Sequence, residues 1–438
     1  MAIATPNTDT SVVRPGTGQS YGAPLATVTT LFFMWGFLTC LNDILVPHLK
    51  SIFDLNYTKV MLIQFAFFGA YFIFSIPSAK VIDWIGYQRS MVAGLLTMGL
   101  GAFLFVPAAS VPSYPLFLGA LIVLAAGITC LQVAANPYVT VLGKPETASS
   151  RLNLTQAFNS LGTFLAPFFG GLFILTAAPN MAEIRALAPD ALQAFRVHEA
   201  ATVKTPYVGL GIALVLLAIA IGSFKLPKIG HAQHQIGQKI DDSIWKHPNL
   251  IFGAIAIFVY VGAEVSIGSF LVNYFGQPEI GGLTEKVAAS FVAFYWGGAM
   301  IGRFIGSAVL QRVSTGLVLG CAAVVAGLLV VTSMLTHGPT AMWAIISVGL
   351  FNSVMFPNIF TIGLWNLGPL TSKGSGLLVM SILGGALLPL LEGHVADRIG
   401  VQHAFFIPVL CYIFIAGFGF AARNLMSGPA LPVLDPAA

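Results

Sequence analysis

The chain has 438 residues, of which 57% are hydrophobic and only 8% are charged, and its mean hydropathy is +0.87. Soluble domains carry about 25% charged residues, so this composition excludes an ordinary soluble protein and predicts a helical protein that crosses a membrane many times. The formal net charge of +4 excludes little, because the distribution of Lys and Arg among the loops matters more than their sum.

Twelve apolar segments are long enough to cross a membrane, which takes about 20 residues as a helix. We number them as spans 1 to 12, with predicted limits of 25–47, 60–83, 88–109, 115–142, 152–177, 205–226, 248–275, 285–311, 315–335, 339–367, 374–395 and 402–423. A long loop of mixed charge, 178–204, joins spans 5 and 6. A second long loop, 227–247, is interpreted as a linker between two six-span halves, 25–226 and 248–423.

The basic residues predict the orientation of these spans. An even number of spans places both termini on one side of the membrane, and if that side is the cytoplasm, most of the 20 Lys and Arg residues fall in cytoplasmic segments. This bias agrees with the positive-inside rule. We therefore predict that the linker 227–247, a disordered N-terminal tail, 1–24, and a C-terminal tail, 424–438, are all cytoplasmic.

Span 1 carries a carboxylate, Asp43, next to Asn42 in a long apolar run. A charged side chain in the membrane core costs roughly 2.5–3.5 kcal/mol on insertion scales, so such a residue normally faces a wet cavity and has a function. We predict that Asp43 faces such a cavity and binds an ion there. The alternative is that Asp43 caps the end of the helix, near His48 and Lys50.

The loop between spans 2 and 3 reads AKVIDWIGYQR, residues 79–89. Asp83, Gly86 and Arg89 resemble the Gly-x-x-x-Asp-Arg-x-Gly-Arg loop signature of the major facilitator superfamily, with Ala79 in place of its first glycine. Gly86 allows a tight turn, and Asp83 at a helix end is placed to pair with a neighbouring helix. We predict that Asp83 and Arg89 act in gating. The alternative is an ordinary solvated loop.

Amide side chains lie at helical spacing in several spans. Such stripes, combined with aromatic rings, suit a sugar, which needs many hydrogen bonds and a flat surface for stacking. The predicted sugar ligands in the first half are Gln64, Gln132, Asn136, Gln156 and Asn159. Five aromatic residues are candidates for stacking on the sugar ring, and Trp296 of span 8 is predicted to bind the sugar: Trp35, Tyr71, Tyr295, Trp296 and Trp365. The alternative for each single amide is a hydrogen bond between helices, worth about 0.6 kcal/mol.

A second buried carboxylate, Glu264, lies within span 7, the pseudo-equivalent of span 1. We predict that Glu264 and Asp43 face a common cavity from opposite halves. Burial disfavours the charged form of a carboxylate, which suits a reversible proton carrier, although hard oxygen ligands suit sodium equally. The alternative is a structural pair between Glu264 and Arg303 of span 8, which we predict to latch the inner gate. Glu392 is interpreted as too near a helix end to be singled out.

The two halves show weak internal similarity. Span 4 contains Asn136-Pro137 followed by Leu142-Gly143, and span 10 contains Pro357-Asn358 followed by Leu367-Gly368. A parallel duplication of six-helix halves, with a substrate site between them near the membrane midplane, is typical of the major facilitator superfamily. The predicted fold class is therefore an all-α membrane protein of 12 transmembrane helices in two pseudo-symmetric bundles.

Four motifs resemble the fucose–galactose–glucose:proton symporter family of this superfamily: WGFLTCLNDILVPHLK, ITCLQVAANPYVTVLG, RLNLTQAFNSLGTFLAP and FNSVMFPNIFTIGLWNLGPLTSKGSGL. Two further runs, FVYVGAEVSIGSFLV and FYWGGAMIGRFIGS, are more similar to the glucose/galactose transporter branch than to L-fucose permease. The resemblance implies hexose ligands at Asn42, Asn136, Gln156 and Asn159, and we add Asn352 and Asn358 of span 10.

The resemblance also implies two functional carboxylates, in spans 1 and 4. The first matches Asp43, but Gln132 stands at the second position, which suggests that the second acid has moved to Glu264 in span 7.

The predicted function is import of glucose or galactose, coupled to a cation, across the bacterial cytoplasmic membrane by alternating access. The coupling ion is predicted to be a proton. The alternatives are coupling to sodium, L-fucose as the substrate, or facilitated uniport without an ion. The sequence contains no catalytic constellation, so we predict that the chain is not an enzyme. We expect no cofactor, no metal site and no nucleic-acid partner, and we expect a monomer in the lipid bilayer.

Overall fold

The computed structural model of the chain describes residues 22–53, 57–111, 113–173, 188–202, 204–224, 226–227 and 243–425. Within these ranges, the side chains at 38–53, 57–61, 167–173 and at some positions of 189–202 lie outside the description. The N-terminal tail 1–21, most of the linker 227–247 and the chain beyond Leu425 are likewise outside it. The predicted domain limits at these segments therefore stay predictions.

The N-terminal half contains spans 1 to 6 as long apolar helices. Span 1 is Gly22–Phe53, spans 2 and 3 form the continuous element Tyr57–Ser110, span 4 is Tyr114–Val141, span 5 is Ala148–Phe173 and span 6 is Lys204–Ser223. The predicted turn between spans 2 and 3 is a sharp break at Gly86, whose φ of 80° lies in the left-handed region that favours glycine.

The C-terminal half contains spans 7 to 12. Span 7 is Pro248–Phe275, span 8 is Glu285–Val309, span 9 is Thr315–Leu335, span 10 is Gly338–Asn352 followed by Met355–Gly363, span 11 is Thr371–Met380, the 3₁₀ turn Ser381–Leu383 and Gly384–Ile399, and span 12 is Val401–Ala404 followed by Phe406–Ala421. Nine helical stretches of the described residues are long and apolar enough to cross a membrane, and one of them, Leu62–Ser110, contains both spans 2 and 3.

The interpretation of 178–204 as a loop is wrong for its second part, which contains the helix Pro189–Thr202. Proline in the first helical turn and Asp190 in the same turn are ordinary signals of a helix start. A search for apolar runs does not detect such a helix, because polar residues interrupt it throughout and it contains no long apolar run.

Prolines within spans 4 and 10 release backbone carbonyls that other helices use. Pro137 has no N–H to bond the Val133 carbonyl four residues earlier, and the Ser375 hydroxyl of span 11 donates to that oxygen at 2.8 Å. Pro357 releases the Ser353 carbonyl in the same way, at the point where span 10 is interrupted. The two prolines are the internally repeated positions of the sequence, so the repeat creates one free acceptor in each half.

The two halves contact each other at the ends of spans 2, 5, 8 and 11. The Ser150 hydroxyl at the start of span 5 donates to the Ser307 carbonyl near the end of span 8 at 2.6 Å. Gly376 of span 11 lies so close to Ala79 of span 2 that an added Cβ would approach the Ala79 Cβ to 3.0 Å. These contacts close the end of the molecule that carries the turns between spans 2 and 3, 4 and 5, 8 and 9, and 10 and 11.

The close approach of spans 8 and 10 at Gly302 supplies a stability prediction. A side chain at Gly302 would overlap the Leu350 carbonyl and the Ser353 side chain, whereas Gly297 of the same helix faces open space. We expect Gly302→Val to lower the free energy of unfolding by about 1–3 kcal/mol, because the helices must separate. Thermal unfolding of the purified protein checks this, with Gly297→Val as the matched control. Equal stability of the two variants would contradict the packing described here.

Candidate site at the interface of the two halves

The predicted ion ligand of span 1 lies on a helix but outside the described side chains. The backbone at Asn42 and Asp43 is helical within Gly22–Phe53, and nothing further is described for either residue. The preceding part of span 1 packs closely on span 5, where the Asn159 amide donates to the Phe32 carbonyl at 2.9 Å. An added Cβ at Gly36 would overlap the Asn159 carbonyl, so this glycine permits the contact.

The first amide cluster joins spans 2 and 4. The Gln132 Nε2 donates to the Tyr71 hydroxyl at 2.9 Å, and the Trp35 side chain is a second hydrogen-bond partner of that hydroxyl. Gln132 is only 3% exposed, and its Oε1 has no hydrogen-bond partner in the described part of the chain. Gln64, also predicted as a sugar ligand, is half-buried on the same face of span 2 as Tyr71, two turns earlier.

The second amide cluster joins spans 4 and 5. The Gln156 Nε2 donates to the Asn136 Oδ1 at 3.4 Å, and both residues are buried. The Asn136 Nδ2 has no partner among the described residues. A buried polar group without a partner is costly and rare in native proteins. The Asn136 Nδ2 is therefore an unused donor, and it lies one helical turn along span 4 from the unused acceptor, the Gln132 Oε1.

A carboxylate and a guanidinium approach this cluster from the C-terminal half. The Tyr260 hydroxyl donates to the Glu264 Oε1 at 2.7 Å, and Glu264 is partly exposed. Arg303 of span 8 is near enough for electrostatic attraction to Glu264. The Arg303 Nη1 donates to the Gln156 carbonyl at 3.2 Å and also contacts the Ser160 hydroxyl. Arg303 thus connects the carboxylate of one half to the amide stripe of the other.

The proline-released carbonyl of span 10 orients this arginine. The Arg303 Nε donates to the Ser353 carbonyl at 3.3 Å, the acceptor that Pro357 leaves free. The predicted gating residue is therefore held in the middle of the interface, where it bonds with both halves.

The other predicted residues of the C-terminal half differ in their surroundings. Asn352 bonds with two tyrosines, because its Nδ2 donates to the Tyr295 hydroxyl at 2.9 Å and its Oδ1 accepts from the Tyr412 hydroxyl at 2.8 Å. Trp296 is 40% exposed and packs edge-on against Tyr295, with ring centroids 5.1 Å apart. The structure thus engages both ends of the Asn352 amide within the half and leaves the Trp296 ring open on one side.

Two predicted residues lie where the halves close. The Asn153 Nδ2 of span 5 donates to the Asn358 Oδ1 of span 10 at 3.0 Å, and both amides are fully buried. The Ser372 hydroxyl at the start of span 11 donates to Asp83. Arg89, predicted as a gating residue, is exposed beyond the Gly86 turn. Asp83 and Asn358 therefore belong to the closed end of the interface, not to the amide clusters.

One acidic residue lies deeper than the sequence analysis expected. Glu392 is completely buried in Gly384–Ile399, so the interpretation that it sits too near a helix end was wrong. Span 11 extends through Ile399, past the predicted limit of 395, which moves Glu392 into the interior of the helix. Among the described residues there is no group of three or more His, Cys, Asp or Glu side chains arranged to hold a metal ion.

The chain is similar to known membrane transporters over nearly its whole length. A family model described as the Major Facilitator Superfamily matches residues 27–377. A glucose/galactose transporter of Brucella abortus is 51% identical over 96% of this chain and 98% of its own length. The L-fucose-proton symporter of Escherichia coli is 35% identical over 91% of this chain and 93% of its own length. A crystal structure of FucP, a transporter in the outward conformation, superposes with a TM-score of 0.86 at 33% identity and covers 94% of this chain and 100% of that one.

Proposed function

The chain belongs to the major facilitator superfamily, and on that premise we propose that it imports a hexose, glucose or galactose, together with a proton by alternating access. The family matches confirm the predicted fold of two six-span halves and the predicted resemblance to glucose/galactose transporters. The chain is a transporter in the membrane, not an enzyme. The name of the 51% identical relative supports glucose and galactose as substrates.

Four buried amide atoms have no partner among the described residues, and two of them, Asn153 Oδ1 and Asn358 Nδ2, lie at the closed end. The observation that carries the sugar site is the other two, Gln132 Oε1 and Asn136 Nδ2, which lie one helical turn apart on span 4. A sugar hydroxyl both donates and accepts, so a hexose between the halves satisfies the Gln132 oxygen and the Asn136 amino group at once. The half-open ring of Trp296 supplies an apolar surface for the sugar ring.

Asn42, Gln64, Gln156 and Asn159 complete the site in this proposal. Asn352, whose amide is engaged at both ends, acts as a support. Asn358 lies at the closed end, where its Oδ1 accepts from Asn153 and its Nδ2 has no partner among the described residues.

The proton is carried by Asp43 and Glu264 in the proposed mechanism. The L-fucose-proton symporter of Escherichia coli, which is 35% identical, supports a proton as the coupling ion, and nothing in the comparisons favours sodium. The ionised form of Glu264 has a hydroxyl donor in Tyr260 and a cation in Arg303, and the same tyrosine oxygen is able to accept from the protonated form. A carboxyl group that has a hydrogen-bond partner in both its ionised and its protonated form is suited to reversible proton binding.

The described conformation is outward-facing in this proposal. The closed end carries Asp83, Ser150 and Asn153, and the charge bias assigns that end to the cytoplasm. Both termini are then cytoplasmic in the inner membrane of a bacterium. A monomer suffices, since both halves that line the site come from one chain.

Replacement of Gln132 tests the sugar site. We expect Gln132→Met, which keeps the volume and removes the amide, to weaken glucose binding about tenfold or more, equivalent to about 1.4 kcal/mol, because the unused acceptor is lost. Equilibrium binding of radiolabelled glucose to the purified protein measures this, with Gln311→Met on the exposed end of span 8 as the control. Unchanged affinity in Gln132→Met would remove this residue from the site.

A further inference from the structure

Spans 7 and 11 meet along a seam in which contacts recur every four residues. An added Cβ at Gly384 would overlap the Phe258 carbonyl, and an added Cβ at Gly262 would overlap the Leu388 side chain. Phe258 and Gly384 are separated by as many positions in the sequence as Gly262 and Leu388. The two helices therefore run parallel and stay in register. The next contact of this series pairs Ser266 with Glu392.

Glu392 lies in this seam with a single polar neighbour, the Ser266 hydroxyl, among the side chains described around it. Its exposed fraction is 0%, and Ser266 is also completely buried. The Ser266 hydroxyl is near enough to interact with the carboxyl group as a hydrogen-bond partner, but neither carboxylate oxygen reaches the geometry of a full hydrogen bond with it or with any other described residue. Glu392 thus differs from Glu264, which has a hydroxyl donor and a nearby arginine.

The groups around Glu392 do not supply a positive charge. Ser266 faces it from span 7, and the Cys411 thiol faces it from span 12. Span 2 packs on the earlier part of the same helix through the apolar ring of Phe68. On its own helix, the nearest titratable groups towards the C-terminus are His394, Asp397 and Arg398, which are all exposed.

Binding of a proton removes the cost of burying a charged carboxylate at Glu392. An isolated ionised carboxylate in an apolar interior is very costly, and such a group normally becomes neutral or acquires a partner. A bound sodium ion needs several oxygen ligands, whereas the seam offers one carboxylate and one hydroxyl. Protonated Glu392 is neutral and carries an O–H that is able to donate to the Ser266 hydroxyl oxygen, so one proton removes the buried charge and keeps a hydrogen bond available between the two groups.

We propose that Glu392 and Ser266 form a second proton-binding site in the seam of spans 7 and 11, separate from the Asp43 and Glu264 pair. Glu392 is protonated while the seam is closed. Loss of the proton requires the seam to loosen and admit water, so occupancy of the site is linked to the arrangement of the two helices. Span 7 also carries Glu264, two residues before Ser266. A change in the protonation of either Glu264 or Glu392 therefore alters the contacts of the same helix, span 7. The link to transport rests on the proposed proton symport.

Infrared spectroscopy of the full-length protein in lipid tests the site directly. A protonated carboxyl group has a carbonyl stretching band that an ionised carboxylate lacks. At neutral pH, without sugar or any gradient, we expect Glu392→Gln to lose the band of one protonated carboxyl group that the wild type and Glu264→Gln retain. Ser266→Ala is expected to shift the frequency of this band, because the hydrogen-bond acceptor is removed.

The outcomes separate this site from the proposed function. An unchanged band in both Glu392→Gln and Ser266→Ala would overturn the site, even if the protein carries protons with sugar. A band lost in Glu392→Gln would support the site even if sugar uptake takes up no protons, a result that would instead contradict symport. If Glu392→Gln does not fold, the shift in Ser266→Ala carries the test. A band shift that follows sodium at constant pH would overturn the proton assignment in favour of a sodium ion.

Discussion

Replacement of Asp43 by Asn is expected to abolish accumulation of glucose against its gradient while exchange of internal for external glucose continues. The amide keeps the size and polarity of the side chain but cannot bind and release a proton. A pH difference of one unit is worth about 1.4 kcal/mol per proton, or about tenfold accumulation of a sugar moved with one proton. Asp43→Asn should therefore bring the final ratio of internal to external sugar close to one.

Uptake and exchange of radiolabelled glucose in proteoliposomes measure this prediction. Asp397→Asn is a matched control, because Asp397 is an exposed carboxylate at the end of span 11. Loss of exchange together with accumulation would indicate damage to the sugar site instead of uncoupling. Normal accumulation in Asp43→Asn would remove Asp43 from the coupling mechanism and favour the helix-capping alternative.

Replacement of Arg303 by Ala is expected to lower the rate of glucose transport at least tenfold, equivalent to about 1.4 kcal/mol or more. The substitution removes the donors to Gln156, Ser160 and Ser353, and it leaves Glu264 without its nearby cation. Removing one partner of a fully buried ion pair costs about 3–5 kcal/mol. Arg303 and Glu264 are only partly buried, so a smaller effect is expected here.

A second substitution shows which contact of Arg303 matters. If the positive charge mainly compensates Glu264, the double variant Arg303→Ala/Glu264→Gln should recover sugar exchange relative to Arg303→Ala, since no carboxylate is left uncompensated. If the contacts between the halves dominate, the double variant should be as slow as the single one. Arg312→Ala, at an exposed position near the end of span 8, is the control for loss of a positive charge. Wild-type transport in Arg303→Ala would contradict both roles.

The spans could be predicted from the sequence because membrane crossing is a local property. A run of about 20 apolar residues suffices, and the predicted limits of spans 7 and 9 agree with Pro248–Phe275 and Thr315–Leu335. The helix Pro189–Thr202 was missed because polar residues interrupt it and it has no long apolar run. The position of Glu392 was misjudged because the limits of a helix are the least reliable part of such a prediction.

The contacts within the site were harder to predict from the sequence, because they join residues that are far apart along the chain. The sequence identified Arg303 and Pro357 separately, but not that the proline frees the Ser353 carbonyl to which the arginine donates. Asn358 was predicted as a sugar ligand, but the sequence did not reveal that its Oδ1 accepts from Asn153 where the halves close. Amide spacing along one helix does not reveal which helix lies opposite. That information exists only in the packing of the two halves.

Glucose uptake by the wild-type protein in proteoliposomes tests the proposed symport most directly. The vesicles are given an inward proton gradient, an inward sodium gradient or no gradient, with galactose and L-fucose as unlabelled competitors. We predict accumulation of glucose with the proton gradient alone, and competition by galactose. Equilibration without accumulation under every gradient would contradict symport and identify a uniporter, and accumulation with sodium alone would contradict the proton as the coupling ion.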